Sequence, residues 1–204
     1  MIEWALAGTP MTGQTRSGDR GLVVPYGGGA LVAAIDGLGH GVAAATAAER
    51  CEQVLTRMAE EPLIDIVRQC HEELRQTRGV VLSLASFDDR GSMTWLGVGN
   101  VEALLVRADS DRTEAIPARG GTVGYLLPPL MARTLAVRPG DTLVLATDGI
   151  RHGFKHEVLP SRAPQEIADL ILAGWAKGSD DACAIVARYV GVADDGATVE
   201  GSSS

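Results

Sequence analysis

The chain has 204 residues, of which 46% are apolar and 22% charged, as is typical of one soluble globular domain. Its formal net charge is −8 and its basic side chains are scattered, so we expect no nucleic-acid partner. No apolar run approaches the roughly 18 residues of a membrane span, and the N-terminus lacks a secretory pattern. We therefore expect a cytoplasmic protein that contacts no membrane, with a single domain over residues 1–192 and a flexible tail over 193–204.

Strand and helix patterns alternate in the first part of the chain. Residues 2–7, 21–26 and 30–36 are apolar runs bounded by the turn-forming stretches SGDR and GGG, which favours strands. Apolar residues at helical spacing then predict a helix over 41–59. A second helix is predicted to begin at Pro62 and to end at Gly79.

A period of two dominates the middle of the chain and predicts antiparallel strands there. A helix and a last strand follow. The segments with this period are 80–88, 92–99, 101–109, 132–139 and 141–148, the helix covers 164–176, and the last strand covers 182–190. This order predicts an α+β fold, most simply a four-layer α-β-β-α sandwich with two antiparallel sheets flanked by helices.

Three cysteines, Cys51, Cys70 and Cys183, are widely spaced among apolar or helical neighbours. An odd number with this spacing favours neither a disulfide framework nor a CxxC metal site. We therefore expect reduced thiols in or near the core.

Acidic residues stand at the ends of the apolar strands. Asp36 ends LVAAI, Asp148 ends TLVLAT, Asp180 and Asp181 precede the last strand, and Asp19 lies in the turn before GLVVPY. Carboxylates gathered at one rim of a sandwich repel one another, and a hard divalent cation with oxygen ligands relieves that repulsion. The pattern therefore indicates a metal site, provided that these strand ends meet in space.

The dipeptide Asp-Gly follows an apolar strand twice, at Asp36-Gly37 and at Asp148-Gly149. Glycine lets the backbone turn sharply, and the Gly37 carbonyl could complete the coordination of a metal held by Asp36. Asp-Gly is also a common turn dipeptide, so both pairs have the simpler interpretation of strand-exit turns.

Six motifs together resemble the SpoIIE-like branch of the metal-dependent protein phosphatases, also called protein phosphatase type 2C. In chain order they are SGDR, DGLGHG, WLGVGN, GGTVGYL, ATDGI and DDACAIVA, and they span about residues 3–190. The resemblance implies a sandwich of two antiparallel sheets flanked by helices, with a two-metal centre at one end.

The resemblance also implies the ligands of that centre. Asp36 would bridge two Mn²⁺ or Mg²⁺ ions, the Gly37 carbonyl would bind one of them, and Asp148 and Asp180 would bind the other. Asp19 would act near the second ion through water. Asp180 is preferred to its neighbour Asp181 because the family's ligand is the first member of the acidic pair.

The implied chemistry is hydrolysis of a phosphoester by a metal-activated water, with Asp36, Asp148 and Asp180 as the catalytic carboxylates. Magnesium or manganese suits carboxylate, carbonyl and water ligands better than zinc does. His40 is a candidate general acid for the leaving oxygen. However, the family's histidine follows the DG pair directly, whereas Leu38 and Gly39 intervene here, so a structural role for His40 at the start of the helix stays open.

Two positions depart from the family's pattern. Gln14 stands where many relatives outside this branch carry a phosphate-binding arginine, and Arg16 is only three residues before Asp19. Asn100 replaces an aspartate that is linked to a third metal. The sequence therefore argues against direct capture of phosphate by an arginine near Asp19, and against a tightly bound third ion.

A catalytic domain of this size without an attached sensor is most like the stressosome phosphatases of the branch. The implied function is removal of phosphate from serine or threonine of phosphorylated STAS-domain proteins, which resets a bacterial stress response. Two alternatives remain at this point, namely a non-catalytic binding regulator with the same fold and a hydrolase of small phosphorylated metabolites.

Overall fold

Two five-stranded antiparallel sheets, described over residues 1–110 and 112–191 of a computed structural model, form the centre of the protein. Numbered along the chain, the first sheet has the order β1 (Ile2–Thr9), β10 (Ala182–Tyr189), β9 (Thr142–Ala146), β6 (Glu102–Val106) and β7 (Thr113–Ala115). The second has the order β2 (Asp19–Tyr26), β3 (Gly29–Gly37), β4 (Val80–Asp88), β5 (Ser92–Val98) and β8 (Arg133–Ala136). The predicted tail, residues 193–204, lies outside the described residues.

Helices cover the outer faces of both sheets. Helices α1 (Val42–Arg57) and α2 (Leu63–Leu74) pack on the second sheet, and α3 (Pro164–Trp175) packs on the first. A short 3₁₀ helix, Phe154–Glu157, lies beside α3. The predicted four-layer α-β-β-α sandwich is therefore confirmed.

Each boundary between layers is filled by apolar side chains. Trp95, Phe87 and Ile185 belong to the layer between the two sheets, which excludes water from the centre of the sandwich. The alanine-rich start of α1 contributes Ala44 and Ala48, both fully buried, and such small side chains let the helix approach β3 closely. This close approach places the start of α1 beside the end of β3, where Asp36 lies.

The three cysteines are free and buried, as predicted. Cys51 of α1 and Cys70 of α2 have their sulfur atoms 3.8 Å apart. Burial raises the pKa of the Cys183 thiol to about 12, and the charge of Asp19 adds to the shift. All three therefore act as small apolar core residues.

The predicted elements differ from the observed ones mainly at their ends and in their pairing. Strands β5 and β6 follow one another in the chain but belong to different sheets, because β5 pairs with β8 and β6 pairs with β9 and β7. The second helix ends at Leu74, since Thr77 hydrogen-bonds the Leu74 carbonyl and ends the last turn. The patterns did not predict β7 or the 3₁₀ helix.

Among residues 1–110 and 112–191, the helices are all too short or too polar to span a bilayer.

Candidate metal centre

Asp19 and Asp36 lie directly opposite each other in the β2–β3 ladder. Strand β2 begins at Asp19, two residues earlier than the sequence pattern predicted, and this extension brings the two acids together. Residues paired in this way project to the same face of the sheet, where like charges repel. The fold therefore places two carboxylates side by side at the end of the second sheet.

The backbone that follows Asp36 is fixed from two sides. The Gly37 N–H donates to the Gly18 carbonyl at 3.0 Å, and the Leu38 N–H donates to the Gly79 carbonyl at 3.1 Å. A methyl group on Gly37 would lie 2.4 Å from the Ala44 carbonyl oxygen of α1. Glycine at position 37 is therefore required by the close approach of α1 and not only by a turn.

Asp148 comes from the other sheet, two residues after β9 ends. The Asn100 amide donates to Asp148 Oδ2 at 2.9 Å and orients the carboxylate. The Lys177 ammonium donates to the Asp148 backbone carbonyl. Asn100 therefore has an identifiable structural role at the position where the family pattern has an aspartate.

The two acids that precede β10 have different roles. Asp181 is only 2% exposed, and its two carboxylate oxygens accept hydrogen bonds from the backbone N–H groups of Met11 and Gly18, at 2.8 and 2.7 Å. Asp180 is more exposed and borders the cavity that Asp36 and Asp148 also line. This geometry favours Asp180 as the metal ligand. Asp181 anchors the loop that precedes β2, a role that sequence reasoning missed.

One cavity of about 290 Å³ joins the candidate residues of both sheets. Its lining consists of Met11, Asp36, Leu38, Gly39, His40, Val81, Asn100, Asp148, Ser179 and Asp180. Asp19 is not part of this lining and borders a neighbouring cavity with Cys183 and Arg20. The structure thus brings three of the four predicted acids to a single opening and places the fourth beside it.

The electrostatics of the cavity follow from burial and crowding. Burial raises the pKa of Asp36 to about 8, and the negative charges of Asp19 and Asp148 add most to that shift. Burial also raises the pKa of Asp19 to about 7, which interaction with Thr147 opposes and the charge of Asp181 reinforces. In the absence of a cation, both carboxyl groups therefore bind protons near neutral pH.

The donor set fits a hard divalent cation. Asp19 Oδ2 is buried and has no hydrogen-bond partner among the described residues, so it is an acceptor without a donor. Within the described ranges, no three His, Cys, Asp or Glu side chains form a ready-made cage for one ion. Mg²⁺ favours a site with few carboxylates, completed by a carbonyl and by waters. Gly37 offers such a carbonyl beside Asp36.

We expect the metal-free protein to lose stability as the pH rises from about 4 to about 8. The folded-state pKa values of Asp19 and Asp36, about 7 and about 8, exceed the ordinary value of 3.8, so the folded protein holds protons that the unfolded chain releases. The resulting stability is complete below the unfolded value and is lost as the pH passes the folded values. Thermal melts in chelator between pH 5 and 8 measure this, and Asp36→Asn should flatten the profile. A wild-type profile no steeper than that of Asp36→Asn would contradict the prediction.

Comparison with known proteins identifies the family. The model of the family "Stage II sporulation protein E (SpoIIE)" matches residues 26–190. The chain belongs to the SpoIIE family. This confirms the family predicted from the six motifs. No curated protein matches the SpoIIE-family chain at a significant level.

Solved structures show the same fold. A structure from work described as "The bacterial stressosome: a modular system that has been adapted to control secondary messenger signaling" is 30% identical, with a TM-score of 0.86, and the match covers 92% of this chain and all of that one. RsbX in complex with magnesium is 19% identical, with a TM-score of 0.83 and coverage of 92% and 94%.

The phosphatase domain of SpoIIE from Bacillus subtilis, solved with a fragment of its regulatory domain, is 22% identical, with a TM-score of 0.77. That match covers 93% of this chain and 63% of the other. Because the RsbX and SpoIIE structures are under 25% identical to the chain, they establish the fold alone, which is that of the type 2C phosphatases.

The arginines near Asp19 in this SpoIIE-family chain are held by helix α1. Arg16 pairs with Glu49 at 2.5 Å, and Arg20 pairs with Glu49 and Glu52 at 2.8 and 2.9 Å. These pairs direct both guanidinium groups toward α1. The expectation that no arginine next to Asp19 captures phosphate agrees with this arrangement.

The other three histidines lie outside the cavity lining. His71 Nδ1 accepts a hydrogen bond from the Gly124 N–H at 3.0 Å. His152 contacts Glu102 at 2.7 Å, and His156 packs edge-on against Trp175. His40 is the one histidine of the described residues that lines the cavity.

Proposed function

We propose that this chain is a divalent-metal-dependent phosphatase that hydrolyses phosphoserine or phosphothreonine on a partner protein. The observation that carries the proposal is the meeting of Asp36, Asp148 and Asp180 at one cavity, with the pKa of Asp36 raised to about 8 by burial and by its neighbours. Crowded carboxylates in a cleft are costly without a cation, which makes a purely structural role a poor explanation. The type 2C fold supports the same reaction class.

The proposed ligands are Asp36, Asp148 and Asp180, with the Gly37 carbonyl and, through water, Asp19, for two Mg²⁺ or Mn²⁺ ions. Such ions supply a hydroxide nucleophile at neutral pH and offset the charge of phosphoryl oxygens.

The chain's own residues orient this site. Asn100 holds the Asp148 carboxylate by its hydrogen bond, and Asp181 holds the backbone of Gly18 and of Met11, which lines the cavity. The Asn100 hydrogen bond fixes the position of a proposed metal ligand before substrate arrives, and the Asp181 hydrogen bonds fix the loop beside it.

His40 lines the cavity and is exposed, so it can reach an oxygen that leaves phosphorus. We propose it as the donor of that proton, while its position immediately before Gly41, the N-cap residue of α1, equally suits a structural role.

Phosphorylated STAS-domain proteins of the stressosome are the proposed substrates. The 30% identical structure comes from work on the bacterial stressosome, and RsbX shares the fold. The matches cover 100% and 94% of those two solved chains.

The deciding experiment measures Mn²⁺-dependent phosphate release from phosphorylated STAS-domain proteins beside release from an aryl phosphate. We expect the phosphoprotein to be the better substrate, and chelator to abolish both activities. Preference for the small phosphate would indicate the metabolite hydrolase. Activity on neither substrate, with the fold intact, would indicate the binding regulator. Asp169→Asn, an exposed change on α3, serves as the control variant.

A further inference from the structure

Arg78 lies against Gly39, a residue of the cavity lining, although Arg78 is not itself part of that lining and is distant from the candidate ligands in sequence. It belongs to the connection between α2 and β4 and is exposed. A methyl group on Gly39 would lie 2.5 Å from Arg78 Nη1, so the guanidinium rests directly on Gly39. Gly39 and the adjacent His40 both line the cavity. The positive charge therefore lies next to one wall of the cavity.

The backbone around Arg78 is held in place. Thr77 Oγ1 donates to the Leu74 carbonyl at 2.7 Å and accepts from the Gly79 N–H at 3.0 Å. The Gly79 carbonyl accepts the Leu38 N–H, which ties the connection to the loop after Asp36. Gly79 has a φ of 81°, and a side chain there would collide with the Val123 carbonyl. These contacts fix the point from which the Arg78 side chain extends.

The guanidinium of Arg78 makes no ion pair or hydrogen bond within the part of the chain that the structure describes. Among residues 1–110 and 112–191 it has no carboxylate partner and no hydrogen-bond acceptor. By contrast, Arg16 and Arg20 are paired with acids of α1, and Lys177 donates to the Asp148 carbonyl. Among the described residues, Arg78 is thus a cation beside Gly39 with its donors available.

An entering phosphoryl group carries several negatively charged oxygens. An arginine guanidinium offers two parallel N–H donors to such oxygens, in addition to what bound cations supply. Gly39, against which Arg78 lies, follows β3 of the second sheet, whereas Asp148 and Asp180 flank β9 and β10 of the first sheet.

We propose that Arg78 binds the phosphoryl oxygens of the substrate at the mouth of the cavity. The inference rests on the proposed phosphatase function and adds a specific phosphate-binding residue to it. In this role Arg78 contributes to substrate and product affinity, and the carboxylates opposite it remain the metal ligands.

The test compares Arg78→Gln and Arg78→Lys with Arg75→Gln, which removes an exposed arginine that pairs with Glu72 three residues earlier. Three quantities are measured on Mg²⁺-loaded protein, namely KM and kcat for an aryl phosphate and the Kd of inorganic phosphate from ³¹P NMR titration. Calorimetry with Mn²⁺ and thermal melts report on the metal site and the fold.

We expect Arg78→Gln to raise KM and the phosphate Kd about tenfold, as the loss of a charge-assisted hydrogen bond predicts, with a smaller change in kcat. Arg78→Lys should recover part of the loss because it keeps the charge but not the fork. Mn²⁺ affinity and melting temperature should not fall, since Arg78 touches neither a ligand nor the core.

Arg78→Gln values equal to those of Arg75→Gln would overturn the inference, as would a loss of Mn²⁺ affinity that accounts for the effect. The phosphate titration needs no turnover, so it separates the two proposals. A wild-type protein that binds phosphate through Arg78 but cleaves no phosphoester would overturn the proposed function alone. A wild-type protein without turnover or phosphate binding would overturn both.

Discussion

Asp36→Asn is expected to lower metal-dependent phosphatase activity by about a thousandfold or more, because bound metal contributes several kcal/mol to the stabilisation of the reacting phosphoryl group. Asparagine has the shape of aspartate but only one acceptor oxygen and no charge, so it binds a hard cation poorly. Asp148→Asn should have the same effect on activity. Calorimetric titration of Mn²⁺ into both variants measures the site and its stoichiometry directly.

Asp36→Asn should also preserve the fold and stabilise the metal-free protein by about 1 kcal/mol at pH 8. The substitution removes a negative charge that the carboxylates of Asp19 and Asp148 repel. Asp169→Asn removes a charge from the exposed face of α3 and should change neither activity nor Mn²⁺ binding. Near-normal turnover in either Asp36→Asn or Asp148→Asn would contradict the two-metal assignment.

The strand-end acids show how far the sequence could predict the site. Asp36 and Asp148 were recognisable because apolar strands end on them, and sandwich topology then brings strand ends of both sheets to one opening. The actual approach depends on the pairing of β5 with β8 and of β6 with β9, which the period-two pattern does not encode. A local pattern reports which face of a strand is buried, but not which strand lies beside it.

The acidic pair before β10 shows which part of the site could not be predicted from the sequence. Asp180 and Asp181 are adjacent and chemically identical, so sequence alone offered only the family's preference. The structure separates them by long-range contacts, since the groups that bind Asp181 are 170 and 163 residues away in the chain. The role of Arg78 could not be predicted for the same reason, because its contact with Gly39 arises from the turn between α2 and β4.

From the sequence, each of the two Asp-Gly pairs could be a simple turn or part of the metal site. The packing explains why each pair contains a glycine. Gly37 faces the Ala44 carbonyl of α1, and Gly149 faces the backbone before β10. Neither needs a positive φ, so conformational freedom does not explain them. In both cases the missing side chain lets a second backbone segment approach an aspartate that lines the cavity.

Gly149→Ala is therefore expected to destabilise the protein by about 3 kcal/mol and to disrupt the metal centre. The added methyl group would lie 1.8 Å from the Asp181 carbonyl oxygen and 3.0 Å from the Ala182 Cα, both of which are backbone atoms that no rotamer change can move. Relief requires separation of the segment after β9 from the start of β10. That movement carries Asp148 away from Asp180, so Mn²⁺ affinity should fall together with stability.

Gly27→Ala provides the matched control, because a methyl group there meets no atom within 4 Å and the residue lies at the other end of β2 and β3. Urea unfolding and Mn²⁺ calorimetry on both variants distinguish crowding from a general cost of replacing glycine. Equal stability of the two variants would mean that the segments after β9 and before β10 can separate freely. The close approach would then not be what holds Asp148 and Asp180 at one cavity, and the hydrogen bonds of Asn100 and Asp181 would have to position the ligands alone.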